Sequence, residues 1–220
     1  MPKVGVCLSG CGYMDGAEIQ EAVLTILALD RARAEMIFMA PDIPQTTVVD
    51  HQTGEKTDET RNVLTESARI TRGNVMDIAM VVPDDLDALI FPGGFGAALN
   101  LSDFGIKGAD STVNPDVERL IHGMVKASKP IGVLCIAPAM AARAISEITE
   151  GAKLTIGNDK GTAEQMEKLG IIHTDCVVQS FVTDEKYKIV STPAYMLGTR
   201  ISDVAKGINR LVEKVLSLIP

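Results

Sequence analysis

The feature that most constrains the fold of this chain is the regular alternation of short apolar runs with helical stripes. Short apolar runs bounded by Gly or Pro predict buried strands, and a 3.6-residue apolar period predicts amphipathic helices. The predicted strands are Lys3–Leu8, Glu35–Ala40, Asp87–Phe91, Pro130–Leu134, Lys153–Ile156, Cys176–Val182 and Lys188–Ser191. The predicted helices are Ala17–Ala34, Asn62–Ile70, Pro115–Ala127, Ala137–Ile145, Thr162–Leu169 and Ile201–Leu218. This order predicts an α/β fold with a mostly parallel sheet covered on both faces.

Two of these helices carry apolar stripes that predict the residues they bury. The stripe of the first helix comprises Ile19, Val23, Ile26 and Leu27, with Ala22 and Leu29 beside it. The stripe of the last helix comprises Val204, Ile208, Leu211, Val212 and Val215.

The chain has 220 residues and contains no internal repeat, low-complexity tract or Pro/Ser-rich linker. This length and uniformity predict a single domain over residues 1–220. The segment 42–75 is polar and longer than the usual connection between a strand and a helix. We therefore expect an insertion or an extended loop pair there.

Composition excludes several classes of function. The formal net charge of −8, with no Lys/Arg stripe, disfavours nucleic acid as a partner. No apolar stretch approaches the ~20 residues that span a bilayer, and the amino-terminal apolar run is short, so we expect neither a membrane partner nor a secretory signal. Four Cys at irregular spacing and three scattered His predict reduced thiols, no metal site and no cofactor. A cytoplasmic location is the simplest expectation.

Three loops are predicted at the carboxyl ends of strands, where open α/β sheets bind their ligands. The first contains SGCGYMDGAEIQEA, in which Gly10, Gly12 and Gly16 allow close backbone approach to a ligand. Asp15 is a candidate N-cap with Glu18 three residues later, as a capping box requires. Glu18 therefore either completes that cap or extends over the sheet edge into a site.

Cys11 lies in the same glycine-rich loop. It is either a candidate pocket residue or a thiol that simply packs within the loop, and the sequence leaves both open.

The second loop is LIFPGGFGAALNLS, with Gly93 and Gly94 directly after a predicted strand. Consecutive glycines expose adjacent backbone N–H groups, which are the donors of an oxyanion hole, but they also suit an ordinary tight turn. Gly93 is a further candidate pocket residue. The spacing of glycines does not fit a dinucleotide-binding fingerprint.

The third loop lies in KPIGVLCIAPAM, where Cys135 stands between an apolar strand and a helix that contains Pro138. A cysteine in such a run is often only a buried core residue. Strand, cysteine, sharp turn and helix is also the order of a nucleophile elbow, which raises a reactive side chain above the sheet edge. The dipole of the following helix favours the thiolate over the thiol.

Together these stretches identify a resemblance that covers essentially the whole chain. The chain resembles the class I glutamine amidotransferase-like superfamily in its PfpI and parkinsonism-associated deglycase branch. Within that branch it resembles the ElbB subgroup of bacterial glyoxalases, which are also described as isoprenoid-biosynthesis proteins. The resemblance rests on GVCLSGCGYMDGAEIQEAVLTILAL, ETRNVLTESARITRG, ALIFPGGFGAALNLSDF, GVLCIAPAM and VSTPAYM.

The resemblance implies a flavodoxin-like three-layer sandwich with Cys135 as the elbow nucleophile. It implies that Glu18 sits against the Cys135 sulfur and that the amides of Gly94 and Ile136 form the oxyanion hole. It also implies that the carboxyl group holds a proton, since two anions in a small pocket are costly. Relatives in this branch often form homodimers, which we expect here.

The chain departs from the amidotransferases and proteases of the superfamily because Ile136, and not His, follows the cysteine. The segment Thr155–Asn158 also lacks His, and His173 lies well beyond it. Without an imidazole to move the proton, hydrolysis of glutamine or peptides is disfavoured.

The predicted function is therefore a glutathione-independent glyoxalase, a lyase of the glyoxalase III type, whose substrate is a small-molecule aldehyde. It converts 2-oxoaldehydes to 2-hydroxy acids, methylglyoxal to lactate or glyoxal to glycolate, through Cys135 and an acidic partner. The alternative is a redox-responsive protein in which Cys135 becomes a sulfinate, or an accessory protein of isoprenoid biosynthesis.

Overall fold

The structure is a computed structural model and describes residues 1–198 and 200–220. Within these residues the strands are β1 (Lys3–Cys7), β2 (Glu35–Ala40), β3 (Met76–Asp77), β4 (Ala88–Phe91), β5 (Ile131–Leu134), β6 (Lys153–Leu154), β7 (Ile172–His173), β8 (Val182–Asp184) and β9 (Ile189–Thr192). The α-helices are α1 (Ile19–Arg31), α2 (Val63–Thr71), α3 (Phe95–Leu99), α4 (Phe104–Lys107), α5 (Pro115–Lys126), α6 (Ala137–Ile145), α7 (Lys160–Lys168) and α8 (Ile201–Ser217). Short 3₁₀ turns occupy Ile78–Met80, Pro83–Asp85, Gly108–Asp110 and Ala194–Met196.

The described residues form a seven-stranded sheet in the order β3-β2-β1-β4-β5-β9-β8. Strand pairs are parallel from β3 through β9, and only the edge strand β8 runs antiparallel to its neighbour. β6 and β7 form a separate parallel pair. The chain proceeds outward from β1 through β2 to β3, and then returns to β4 on the other side of β1. This reversal is a topological switch point, so the loops after β1, β4 and β5 open side by side.

The sheet is covered on both faces, which confirms the predicted flavodoxin-like three-layer α/β sandwich. Helices α1 and α8 pack together on one face, and α5 and α6 pack together on the other. The predicted stripe of α8 is buried throughout, since Val204, Ile208, Leu211, Val212 and Val215 are all inaccessible to solvent or nearly so.

The predicted buried face of α1 is partly wrong. Ile19, Val23 and Leu27 of the apolar stripe are 45%, 46% and 39% exposed. Ala22 and Leu29, predicted beside the stripe, are buried, and the helix also buries Glu21, Thr25 and Ala28. Small side chains let α1 approach the sheet and α8 closely, and this close packing turns the larger apolar side chains outward.

The predicted strand Cys176–Val182 is also wrong, because only Val182–Asp184 pairs with the sheet. Upstream of it the backbone turns, with the Ser180 N–H donating to the Val177 carbonyl over 2.9 Å. The Thr192 hydroxyl and the Arg210 guanidinium satisfy carbonyl groups of this turn. Side chains thus supply the hydrogen bonds that a neighbouring strand would supply if this apolar run belonged to the sheet.

The polar segment 42–75 forms an extended loop pair followed by α2. Antiparallel bridges join Pro44 to Asn62 and Val49 to Lys56. The Asn62 side chain then caps α2 by accepting a hydrogen bond from the Thr65 N–H over 2.9 Å. As for membranes, none of the helices in the part of the chain described here is long and apolar enough to cross a bilayer.

Candidate active site

The three loops singled out from the sequence are joined by backbone hydrogen bonds at the switch point. The Glu18 N–H donates to the Gly93 carbonyl over 2.8 Å, and the Phe95 N–H donates to the Tyr13 carbonyl over 2.7 Å. Gly93 in turn lies directly against the Cys135 side chain. The loops after β1, β4 and β5 therefore form one continuous site.

Cys135 occupies the sharp turn between β5 and α6. Its φ of +58° is in the left-handed region, which non-glycine residues rarely adopt. The turn is held because the Cys135 N–H donates to the Thr192 carbonyl over 3.0 Å. The residue is only 8% exposed. A strained backbone held by its surroundings is common at functional sites, where it orients the reactive group.

The carboxyl group beside Cys135 belongs to Glu21 and not to Glu18, which corrects the expectation drawn from the resemblance. The Glu21 side chain is fully buried, and its Oε2 and the Cys135 side chain both pack against Gly93, so that Glu21 raises the pKa of the Cys135 thiol. Its Oε2 accepts from the Gly93 N–H over 2.9 Å, and its Oε1 accepts from the Tyr195 N–H over 3.0 Å. Both carboxyl oxygens are thereby fixed next to the thiol.

Glu18 is the N-cap of α1 and lies one helical turn before Glu21. Its Oε2 accepts from the Glu21 N–H over 2.6 Å, so its side chain is committed to the start of the helix. Asp15, the N-cap expected from the sequence, instead accepts from the Val49 N–H over 2.8 Å. The predicted capping box, with Asp15 as N-cap and Glu18 three residues later, is therefore wrong, because Glu18 is itself the N-cap.

The backbone amides of Gly94 and Ile136 lie near the Cys135 sulfur and lower the pKa of its thiol. Gly94 has a φ of +97°, which suits glycine. These are the two donors that the resemblance implies for an oxyanion hole. Because they lie near the sulfur, on the loops after β4 and β5, a charged oxygen on a carbon bonded to that sulfur would lie near them as well.

Protonation of the site is set by opposing effects on two neighbouring acids. Burial, and next the nearby Glu21 carboxylate, raise the pKa of the Cys135 thiol, whereas the amides of Gly94 and Ile136 lower that pKa. Burial also raises the pKa of Glu21 to about 7, against the lowering effect of its hydrogen bond from Tyr195. Two such groups in contact titrate as a pair, so the first proton leaves the pair through about pH 7 and the second leaves at a higher pH.

Gly93 is required by this close packing. A Cβ at this position would overlap the Cβ of Cys135 and lie 2.6 Å from the Glu21 Oε2. We expect Gly93→Ala to separate Glu21 from Cys135 and to lower the free energy of unfolding by about 1–3 kcal/mol. Urea denaturation at constant m-value measures the loss of stability.

Gly161→Ala is the matched control for this substitution, because the nearest atom to its Cβ would be 3.8 Å away and the residue lies within α7. Alanine favours helices over glycine, so Gly161→Ala should leave stability unchanged or slightly raised. Equal unfolding midpoints for Gly93→Ala and the wild type would contradict the packing described.

Cys135 opens onto a cavity of about 430 Å³. Its lining comes from the three loops, from the start of α7 and from the Ala194–Met196 turn, and comprises Tyr13, Glu18, Gly94, Phe95, Cys135, Ile136, Asp159, Thr162, Tyr195 and Met196. A second cavity of about 510 Å³ shares Phe95, Ile136 and Thr162 with the first, so the two lie side by side. A cavity of this size holds a ligand larger than a few atoms.

Cys11 does not line this cavity, so its candidacy as a pocket residue is not supported. Its half-buried thiol lies near the charged side chains of Glu66, Arg69, Asp15 and Arg61, toward α2. Burial raises the pKa of the Cys11 thiol. The interpretation of Cys11 as a loop-packing residue fits this position.

Histidine is absent from the lining of the Cys135 cavity in the part of the chain that the structure describes. His122 contacts the Ala144 carbonyl over 2.6 Å, and His173 accepts from the Ile156 N–H over 3.3 Å. In residues 1–198 and 200–220, no group of three His, Cys, Asp or Glu residues is arranged to hold a metal ion.

Sequence reasoning missed several residues of the site: Tyr13, Glu21, Phe95, Asp159, Tyr195 and Met196. Two signals were available. Glu21 lies in the same stretch as Glu18, and Tyr195 lies in VSTPAYM, one of the stretches that carry the resemblance. The signal that distinguishes Glu21 from Glu18 is the starting point of α1, which spacing alone does not give.

The fold and the elbow cysteine together define a class I glutamine amidotransferase-like α/β protein. No model of a known protein family matches the chain. The human glutamine amidotransferase-like class 1 domain-containing protein 3, mitochondrial, is 44% identical over 226 residues, which cover 98% of this chain and 83% of that protein. The zebrafish ES1 protein, mitochondrial, is 33% identical over 231 residues, covering 98% and 86%.

Among solved structures, an isoprenoid biosynthesis protein with an amidotransferase-like domain from Ehrlichia chaffeensis superposes with a TM-score of 0.94. It is 36% identical, and the match covers all of both chains. DJ-1beta of Drosophila melanogaster, at 17% identity and a TM-score of 0.58 over 99% of this chain and 95% of that one, shares the fold. The chain therefore belongs to the family of glutamine amidotransferase-like class 1 domain and ES1 proteins.

Proposed function

We propose that this protein is a glutathione-independent glyoxalase that converts 2-oxoaldehydes to 2-hydroxy acids. The observation that carries the proposal is the contact between the buried Glu21 carboxyl and the Cys135 sulfur, with the amides of Gly94 and Ile136 reaching the same atom. A thiol, a proton carrier and two fixed donors are the groups that addition to an aldehyde requires.

The proposed reaction needs no oxidant, because one carbon of the substrate is oxidised as its neighbour is reduced. The Cys135 sulfur bonds to the aldehyde carbon, and the thiol proton passes through Glu21 to the former carbonyl oxygen, giving a hemithioacetal. Glu21 then takes the C1 proton, the C1–H electrons form a C1=C2 double bond, and the C2 oxygen takes up a proton, which gives an enediol. The C1 hydroxyl then loses its proton as C2 is protonated, so that C1 becomes the carbonyl carbon of a thioester and C2 carries the hydroxyl. The resulting thioester is hydrolysed by water, which releases the 2-hydroxy acid and restores the thiol.

The same site is poorly equipped to hydrolyse glutamine. An amine leaving group must be protonated as it departs, a task that histidine performs in cysteine hydrolases. The described lining of the cavity offers no imidazole for this step. Aldehyde addition has no amine leaving group, so a single carboxyl group is sufficient.

The test is product formation without glutathione. Purified protein is incubated with methylglyoxal or glyoxal, and lactate or glycolate is quantified by proton NMR against a protein-free control. We expect acid to form in proportion to aldehyde consumed. Aldehyde loss without any 2-hydroxy acid, or no loss at all, would contradict the proposal.

The pH dependence of Cys135 alkylation shows whether Cys135 and Glu21 titrate as a pair. Below pH 7 both acids hold their protons, whereas above it the pair carries one negative charge, because the pKa of Glu21 is raised to about 7. The rate of iodoacetamide labelling of Cys135 should therefore rise through about pH 7. In Glu21→Gln only the thiol can lose a proton. Because burial raises the pKa of that thiol, the midpoint of the labelling rate should move to higher pH. Peptide mass spectrometry over pH 5–10 measures both rates, and coincident midpoints would refute a shared proton.

A redox-responsive role is the second candidate, and the same contacts favour it. A sulfinate on Cys135 would carry oxygens that the Glu21 carboxyl and the two amides are placed to hold. Its signature is selective oxidation of Cys135 by mild peroxide, seen by mass spectrometry, together with negligible aldehyde turnover. The Ehrlichia relative is named an isoprenoid biosynthesis protein, and an accessory role there is the third candidate.

A homodimer is also part of the proposal. The exposed stripe of Ile19, Val23 and Leu27 on α1 supports it, because three large apolar side chains on one helical face are normally covered. Light scattering should give twice the mass of one chain, and Val23→Glu should reduce it toward that of a monomer. The free thiols Cys7, Cys11, Cys135 and Cys176 suit a reducing compartment such as the cytoplasm, which cell fractionation tests.

A further inference from the structure

The cavity at Cys135 has a marked charge asymmetry. Two carboxylates, those of Glu18 and Asp159, line it, whereas none of its described lining residues is Lys, Arg or His. Within the described residues, neither carboxylate forms an ion pair. Their polar contacts are with backbone amides at the starts of α1 and α7. No basic group of the described lining neutralises either carboxyl group, although burial raises the pKa of Glu18.

Aromatic rings complete the cavity wall. Tyr13 and Phe95 are 45% and 52% exposed, and Tyr195 stands beside them in the lining. The faces of aromatic rings attract ammonium and guanidinium groups, and sites for such cations combine rings with carboxylates. Carboxylates and rings thus favour the same kind of ligand.

One basic group, Lys107, lines the adjoining cavity and is already neutralised. Its Nζ is paired with the Asp103 carboxylate. The hydrogen bonds from Thr162 hold the pKa of Asp159 below its usual range, so Asp159 is charged at neutral pH. The formal net charge of −8 adds to the same field.

We infer that Glu18 and Asp159 select positively charged carbonyl compounds, so that the substrate of Cys135 is an aldehyde that carries an ammonium or guanidinium group. The reaction in this inference rests on the proposed function, whereas the preference for a positive charge rests on the residues that line the cavity. A three-carbon 2-oxoaldehyde has five non-hydrogen atoms and fills only a small part of the 430 Å³. The remaining space, which lies beside the second cavity, accommodates the cationic group. Anionic carbonyl compounds such as 2-oxo acids are disfavoured by the same carboxylates.

Two arylglyoxals of the same shape test the selection. 4-(Trimethylammonio)phenylglyoxal and 4-tert-butylphenylglyoxal differ by one positive charge and are otherwise closely matched in size. In the wild type we expect kcat/KM to favour the cation by about tenfold, a preference that falls as salt screens the carboxylates. In Glu18→Gln/Asp159→Asn the ratio should fall to about threefold or less. Comparing ratios between proteins cancels the different intrinsic reactivity of the two aldehydes.

Both substitutions preserve the helix starts. Gln keeps an oxygen that accepts from the Glu21 N–H, and Asn is as good an N-cap as Asp. The control variant is Asp30→Asn/Glu35→Gln, which removes two negative charges at the end of α1 and the start of β2, at the opposite edge of the sheet. It should retain the wild-type ratio. An unchanged ratio in Glu18→Gln/Asp159→Asn would overturn the inference.

A second measurement does not depend on turnover, so it separates this inference from the proposed function. Methanethiosulfonates form a disulfide with Cys135 and release methanesulfinate, and they exist with a trimethylammonium or a sulfonate group. Relative to their rates with N-acetylcysteine, the cationic reagent should label Cys135 about tenfold faster than the anionic one. If arylglyoxals are not converted but this difference is present, the glyoxalase fails and the cation site stands. Equal normalised rates would refute the cation site whatever the enzyme does.

Discussion

Replacing Cys135 with alanine should lower glyoxalase kcat/KM by at least about 10³-fold, because the proposed reaction proceeds through a bond to its sulfur. Cys135→Ser should lose nearly as much, since a hydroxyl group ionises far less readily than a thiol. Both residues fit the elbow, where the side chain is 8% exposed and its backbone is held by the Thr192 carbonyl. The measurement is lactate formation from methylglyoxal.

The matched control is Cys176→Ala. Cys176 is a half-buried thiol whose sulfur contacts the Val177 carbonyl, and it does not line the Cys135 cavity. This variant should keep the wild-type rate. Full turnover in Cys135→Ala, with unfolding curves that show a folded protein, would remove the basis of the proposed function.

Glu21→Gln is the second large effect that we expect, a loss of about 10²–10⁴-fold in kcat/KM. The amide cannot carry the proton, and its NH₂ group must also face the N–H of either Gly93 or Tyr195, both of which now donate to carboxyl oxygens. Glu18→Gln should cost less than about tenfold for a neutral aldehyde such as methylglyoxal. The two variants are compared in one assay, with the pH profile of each.

The pH profile separates a role in proton transfer from a purely structural one. A merely distorted site would lose rate at every pH, whereas loss of the shared proton moves the pH at which the rate rises. An equal loss in Glu18→Gln and Glu21→Gln would contradict the assignment of Glu21. A profile of Glu21→Gln that matches the wild type would contradict it as well.

The sequence was sufficient for the architecture and for the loops that form the site. Strands such as Glu35–Ala40 and helices such as Ala137–Ile145 have the bounds that their apolar patterns predicted. Such patterns are reliable where an element is buried between two others, because burial then imposes one period on the residues. The convergence of three loops followed from parallel strands alone, whose carboxyl ends share one edge.

The sequence was not sufficient where tertiary contacts choose between equivalent residues. Glu18 and Glu21 stand three residues apart at the beginning of one helix, and either could face a neighbouring loop. The choice depends on α1 starting at Ile19, with its small residues turned toward the sheet. Tertiary contacts also place much of the Cys176–Val182 run in a turn, which hydrogen bonds from Thr192 and Arg210 hold.

The site at Cys135 can form only late in synthesis of the chain, because it joins distant parts of the sequence. The carboxyl group of Glu21 is held by the amide of Tyr195, 174 positions further along the chain. A ribosome must therefore translate as far as Tyr195 before the acid and the sulfur are locked together. A product of premature termination between Cys135 and Tyr195 carries the cysteine without its completed partner, and should be an ordinary thiol protein.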